Sequence, residues 1–326
     1  MGYVYGSVFA DEMTRYLSLL QAAGRYIYQI QSSLRSFDRF LVSSGLADKT
    51  VDSDTVSEWV KTRNVSVRTK ASNIGHVKGF SKYLLSLGIK ASWPETPKVR
   101  KDYVPYIFSD SEMERMITVA DNLGSRKAIT RATIIFPILL RILYGCGLRL
   151  GEGRSIRWMD VDLENGVIFI PAAKNCKQRF VPMDNSLTNL LILYREMIRF
   201  DGICTDYLFE SHRNPGEPFM NHSFYDWFMS VLDAAGIHYA KRHRRERGPC
   251  PHCLRHYFAF KSFLKSDNDG RRFEDTSPFL AAYLGHGSVK DLDTYLRSNH
   301  SMYTHSHQRV DAALGHLFPE VNFDEE

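Results

Sequence analysis

The sequence predicts a mainly α-helical protein with one small antiparallel sheet, divided between an N-terminal helical bundle and a larger α+β unit. Three observations lead there. Apolar residues recur at helical spacing through residues 9–87, with no convincing strand among them. Pro94, Pro97 and Pro105 then interrupt the chain where a helix cannot continue. Further on, an Asn165-Gly166 pair separates β-type runs, a strong hairpin signal. A chain of 326 residues is long enough for about two domains, each with its own core. We place them at residues 1–88 and 107–326, joined by a linker at 89–106.

The bundle should hold four helices. Tyr16, Leu17, Leu19 and Leu20 open the first; Ile27, Ile30, Leu34, Phe37 and Leu41 space out the second; Val56, Trp59 and Val60 mark a short third behind an Asp52/Ser53 cap. The fourth, from about Val67 to Leu87, carries Ile74, Val77, Phe80, Tyr83 and Leu84 inward and Lys70, Lys78 and Lys82 along another face, a stripe suited to a phosphate backbone. In the linker, Arg100 and Lys101 are basic groups that can follow DNA. Ser109 to Glu112 form a capping box for the next helix, and Phe108 can staple against Met113. Thr130 to Tyr144 is apolar nearly all round, as in a helix through the middle of a core, with a kink expected at Pro137. Three strands follow, over Ile156–Val161, Val167–Ile170 and Arg179–Pro182. From Leu187 the chain reads as helical, broken around Pro215 and by the basic loop Lys241–Gly248, whose Arg244 and Arg245 add positive charge. Ser288 and Asp291 cap a helix that carries Tyr295 on its second turn, and Gln308–Phe318 has a further apolar stripe.

The composition, 44% hydrophobic and 24% charged, is that of a globular protein and excludes disorder as the main theme. The net charge is +5, but residues 1–100 hold 14 Lys and Arg against 8 Asp and Glu, while the rest holds 28 against 29. This asymmetry places the module that meets a polyanion at the N-terminus. Five scattered cysteines argue against a disulfide framework and for a reducing compartment, the cytoplasm. The start of the chain lacks the pattern of a signal peptide, and the most apolar run, 132–140, is too short to span a bilayer.

Two arginines and a histidine, in Gly147-Leu148-Arg149-Leu150-Gly151-Glu152 and His252-Cys253-Leu254-Arg255-His256, precede Leu284-Gly285-His286 and Tyr295. Breaking a phosphodiester without a metal requires a nucleophile, donors for the charge building on the non-bridging oxygens, and an acid for the departing oxygen. Arginine forks suit the oxygens at any working pH. A tyrosine oxygen suits the attack, since it remains a good leaving group once bonded to phosphorus.

In this order and spacing the residues resemble the tyrosine recombinase, or phage integrase, family. That family carries a G-L-R-x-x-E box, a hairpin lysine, an H-x-x-R box, an L-G-H box and a tyrosine nine residues beyond the last histidine. The matching positions are Arg149, Glu152, Lys174, His252, Arg255, His286 and Tyr295. The resemblance implies a SAM-like core-binding bundle followed by an α+β catalytic domain. It implies that Tyr295 forms a 3′-phosphotyrosyl link, that Arg149 and Arg255 bind the scissile phosphate, and that Lys174 protonates the leaving 5′ oxygen. It further implies that His252 serves as base and phosphate ligand, with His286 as an additional donor and Glu152 in support. The resemblance points to double-stranded DNA carrying a specific site as the partner, to a tetramer on DNA with the C-terminal tail as a candidate contact between protomers, and to strand exchange through a Holliday junction as the outcome. The hairpin here reads Ala173-Lys174-Asn175-Cys176-Lys177 without the family's glycines, so Lys174 and Lys177 both stand as acids, with Lys174 favoured by position. Cys250, His252, Cys253 and His256 lack a matching distant pair of metal ligands, and no metal or other cofactor is expected. A non-catalytic architectural relative and a type IB topoisomerase are the competing readings.

Overall fold

The computed structural model describes residues 3–99, 105–126, 130–171, 178–200, 206–239 and 248–285, together with Ser288 and Leu292. The chain forms two compact units, Met1–Lys101 and Asp102–Glu326.

The first unit contains α1 (Ala10–Ala22), α2 (Tyr28–Ser43), α3 (Ser53–Thr62) and α4 (Val67–Ser86). Side-chain caps start α3 and α4: Asp52 accepts the Thr55 N–H, and Ser66 that of Thr69, each contributing about 1 kcal/mol. Helix α4 packs against the other three, and Phe9, Met13, Leu34, Phe37, Trp59, Val77 and Phe80 form the core between them. Helix α1 starts at Ala10, well ahead of the Tyr16 that marked it in the sequence, because Phe9 and Met13 are also core residues. The buried Asp38 carboxylate accepts the Gly6 and Ser7 backbone N–H groups and the Tyr3 hydroxyl, tying the N-terminal segment to α2. Beyond residue 88 the chain stays docked on the bundle. Val51 donates to the Lys90 carbonyl and accepts from the Ser92 N–H, and Lys78 Nζ lies 5.4 Å from the centre of the Trp93 ring.

The second unit opens with α5 (Asp110–Asp121), whose Ser109 and Glu112 form the expected capping box. Phe108 and Met113 are both buried in its main core. The short α6 (Leu123–Arg126) leads to α7 (Arg131–Gly145), started by a Thr130/Thr133 capping box. Helix α7 is buried around most of its circumference and packs against α5, α8 (Leu150–Arg154), α9 (Asn185–Phe200) and α11 (His252–Asn268). The other helices among the described residues are α10 (Asn221–Ala234) and α12 (Phe273–Leu284), the latter packed against α11.

Between α8 and α9 lies a three-stranded antiparallel sheet in the order β1 (Val161–Asp162), β2 (Val167–Ile170), β3 (Arg179–Pro182). The first strand is shorter than the sequence suggests. Residues 158–160 form a 3₁₀ turn, closed by the Asp160 carboxylate accepting the Arg157 N–H, and this local hydrogen bond takes the place of strand pairing there. Ile168 pairs with Val181 and Ile170 with Arg179, which puts Ile168, Ile170, Val181 and Arg179 on the inner face. Strand β3 packs against α12. Among the described residues, no helix is long and apolar enough to cross a membrane.

Candidate active site

Helix α7 ends at Gly145, and Gly147 turns the chain with φ of 62°, a conformation that favours glycine. A Cβ there would lie 2.4 Å from the Phe258 ring on α11, so the turn is pressed against that helix. It delivers Arg149 to the start of α8. Glu152, three residues on, accepts the Arg149 backbone N–H at 2.9 Å and Arg149 Nη1 at 2.8 Å. The Glu152 side chain is 5% exposed and that of Arg149 40% exposed, so the guanidinium is held at one edge and reaches solvent elsewhere.

Helix α11 supplies the next groups. Arg255, 1% exposed, donates to the Gly147 carbonyl at 2.9 Å and to the Leu284 carbonyl at 2.5 Å, and its Nη1 lies 3.9 Å from Glu152 Oε2. One side chain thus ties the turn before α8 to the last turn of α12. His252 sits one turn earlier on the same side of the helix. Its ring centre is 4.7 Å from that of the buried His256, edge to face.

A further residue, which sequence reasoning took only as part of a strand, completes the cluster. Arg179, 8% exposed at the start of β3, donates to both Glu152 oxygens, at 3.3 and 2.9 Å. A Cβ on Gly285 would lie 3.1 Å from Arg179 Nη1, so this guanidinium also lies beside the residue preceding His286. The signal was available: position 179 shares the inner face with Val181, and an arginine there must find a buried anion.

The electrostatics follow from this crowding. Burial pushes the Glu152 carboxyl up, but the hydrogen bond from Arg179, then the Arg149 N–H and the two cations together, hold it below the ordinary carboxylate range. Although part of the His252 side chain is exposed, the surrounding protein chiefly, and then Arg255 and Arg149, lower its pKa to about 4. Near neutral pH the imidazole is uncharged and able to accept a proton beside three guanidinium groups that all meet one carboxylate.

Arg149, Glu152, His252 and Arg255 therefore come together. Lys174, Lys177, His286 and Tyr295 lie outside the described residues, as do Arg100, Lys101, Arg244, Arg245 and the stripe at 308–318. Lys70, Lys78 and Lys82 lie on α4 of the first unit, Lys82 exposed and the other two half-buried. Among the described residues, no three His, Cys, Asp or Glu side chains form a metal-holding group.

The sequence profile of the phage integrase family matches residues 107–302. Integrase/recombinase y4rB of Sinorhizobium fredii is similar, with 24% identity over 315 residues, 94% of this chain and 98% of that protein. Tyrosine recombinase XerD of Pseudomonas aeruginosa is 27% identical over 242 residues, 70% of this chain and 74% of its own. In solved structures the fold recurs in XerH site-specific recombinase, at a TM-score of 0.63 with 20% identity, covering 88% of this chain and 78% of that one. It recurs also in lambda integrase, at 0.61 with 14% identity, covering 87% and 94%. The matched profile spans more than half of the sequence and takes in every residue of the Glu152 cluster, and the chain belongs to the phage integrase family, the tyrosine recombinases.

Proposed function

We propose that this protein cuts and rejoins DNA strands at specific sites through a 3′-phosphotyrosyl intermediate, with Arg149, Arg255 and His252 around the scissile phosphate and Tyr295 as nucleophile. The observation that carries the reading is the Glu152 carboxylate, which holds Arg149 and Arg179 by direct hydrogen bonds, with Arg255 at 3.9 Å. A site built to receive a phosphodiester needs cations fixed before the substrate arrives, because preorganised donors need not reorganise as charge develops. Arg149 has the exposed guanidinium and is the first contact. Arg255 is enclosed, so it meets the phosphate only once the groups covering it shift. His252, neutral near pH 7, accepts the proton of the Tyr295 hydroxyl as its oxygen bonds to phosphorus. The 5′ oxygen departs with a proton from Lys174, and the reverse sequence joins the phosphate to the 5′ hydroxyl of a partner strand.

DNA as substrate and an oligomer as the acting form accord with the similar structures, among them XerH bound to difH DNA and lambda integrase as a tetramer on a Holliday junction. Lys70, Lys78, Lys82, Arg100, Lys101, Arg244 and Arg245 are the groups we assign to the DNA backbone, and residues 308–318 to the contact between protomers.

The reading is tested with Tyr295→Phe, which removes only the attacking hydroxyl. Incubated with nicked site DNA, the variant should bind yet yield no covalent adduct on a denaturing gel. An adduct at the wild-type level would remove Tyr295 from the mechanism. The acid is tested separately. Lys174→Ala should cleave ordinary DNA poorly and recover when sulfur replaces the leaving oxygen, because a thiolate departs without protonation. Recovery by Lys177→Ala instead assigns the role three residues along.

A further inference from the structure

The run Cys250-Pro251-His252-Cys253 sets two thiols around the candidate base at the first turn of α11. Their sulfurs are 3.6 Å apart and hydrogen-bonded, and the Cys253 N–H donates to the Cys250 carbonyl at 2.8 Å, which closes the turn between them. Cys253 is buried in the main core, while Cys250 is half-buried at its edge. One sulfur is anchored and the other is within reach of a reagent. A disulfide needs about 2.05 Å between sulfurs, so closure requires about 1.5 Å of further approach. Side-chain rotation and slight tightening of the first turn supply that movement. Cys146, the remaining cysteine among the described residues, is buried in the core with its thiol directed at the Pro182 carbonyl and does not compete.

We propose that Cys250 and Cys253 form a reversible disulfide that resets the position of His252 and makes DNA cleavage responsive to thiol redox poise. The effect on cleavage rests on the recombinase reading; the disulfide itself does not. The oxidant is a low-molecular-weight disulfide such as oxidised glutathione. The Cys250 thiolate attacks one of its sulfurs, forming a mixed disulfide and releasing one glutathione thiolate. The Cys253 sulfur, giving up its proton, then attacks the Cys250 sulfur and releases the second glutathione. Two protein thiols are oxidised and one disulfide is reduced to two thiols. The hydrogen bond with Cys250, and then burial, push the Cys253 thiol up, which leaves Cys250 to meet the reagent first. His252 lies inside the ring that closes, so its imidazole shifts relative to Arg149 and Glu152. A misplacement of about 1 Å in a catalytic constellation costs on the order of a hundredfold.

The test uses the full chain in reduced and oxidised glutathione with three readouts: mass spectrometry of the alkylated peptide holding both cysteines, the His252 ring proton signals assigned by their loss in His252→Ala, and adduct formation on nicked site DNA. On oxidation the peptide should lose its two free thiols to an internal disulfide. The ring signals should move, and adduct formation should fall at least about tenfold, returning with dithiothreitol. Cys250→Ser, with Cys250→Ala as a second variant, should keep the reduced-state rate in both buffers. Absence of the internal disulfide overturns the proposal, as does a disulfide that leaves the His252 signals or the cleavage rate unchanged. If reduced protein forms no adduct while the disulfide forms and the ring signals move, the recombinase reading fails and the thiol pair stands.

Discussion

Glu152 is the residue on which the site's electrostatics turn. With its side chain 5% exposed and both oxygens engaged by Arg179, it is the counter-charge for guanidinium groups that could not otherwise share so small a volume. Glu152→Gln keeps the shape and removes the charge. We expect a loss of stability of about 3 to 5 kcal/mol, as when one member of a buried ion pair is removed, with adduct formation lost. An unchanged denaturation midpoint would show that the guanidiniums are neutralised elsewhere. His252 gives the pH counterpart. Its folded pKa, about 4, lies below the ordinary histidine value of 6.5, so between these values the unfolded chain binds more protons than the folded one. The stability it contributes is therefore complete above about pH 6.5 and is lost as pH falls toward 4. His252→Gln should flatten the pH dependence of denaturation in that window, and an unchanged slope would assign it to other groups. At this scale the sequence was most legible where chemistry fixes the residue type: Arg149, Glu152, His252 and Arg255 were found by motif, and the structure gathers them. Arg179 carried a weaker signal, because its strand position explains its backbone and leaves the anion its guanidinium meets, Glu152, unnamed. Asp38 was missed because its partners, the Gly6 and Ser7 N–H groups, are backbone atoms remote in sequence.

The elements succeed or fail according to how locally their signals are written. Capped helices such as α3, α4 and α5 could be read from Asp52, the start near Val67, and Ser109 with Glu112, because the cap and the first turn are a few residues apart. The hairpin followed from Asn165-Gly166. The first strand shrank because an apolar-rich run of six residues is also compatible with a 3₁₀ turn once Asp160 can reach the Arg157 N–H. What no local signal could reveal is the contact that aligns two elements at the site, the close approach of Gly147 to Phe258. Gly147→Ala puts a Cβ against that ring and at a positive φ. The two effects together should cost about 2 to 5 kcal/mol, read as a lower melting temperature, with adduct formation reduced because Arg149 and the Arg255 acceptor both move. Combining it with Phe258→Leu should recover the steric part and leave the backbone part. Full additivity of the two substitutions would mean that turn and helix are not coupled here.

At the scale of the whole molecule, the first unit has its own core around Phe37, Trp59 and Phe80 and the second its main core around α7, while the excess of positive charge lies in the first 100 residues and the rest is near balance. Each unit can be tuned without repacking the other's interior. Residues 296–326 carry a sequence pattern of their own. Val310, Ala313, Leu314 and Leu317 recur at helical spacing with Phe318 beside them, an apolar stripe suited to a groove. Strand exchange brings several protomers onto one DNA assembly, and a head-to-tail contact of this kind builds closed rings of subunits. Truncation after Ser306 should therefore leave the melting temperature and single half-site binding close to wild type, within about 0.5 kcal/mol as for surface changes. Cooperative binding to a full site and recombination should be lost. Gel shifts on half-site and full-site DNA, run beside thermal melting, separate this from a role within one protomer. A tail that covers its own core would lower the melting temperature and weaken half-site and full-site binding alike, and that pattern would assign residues 308–318 to the protomer's interior rather than to its neighbour.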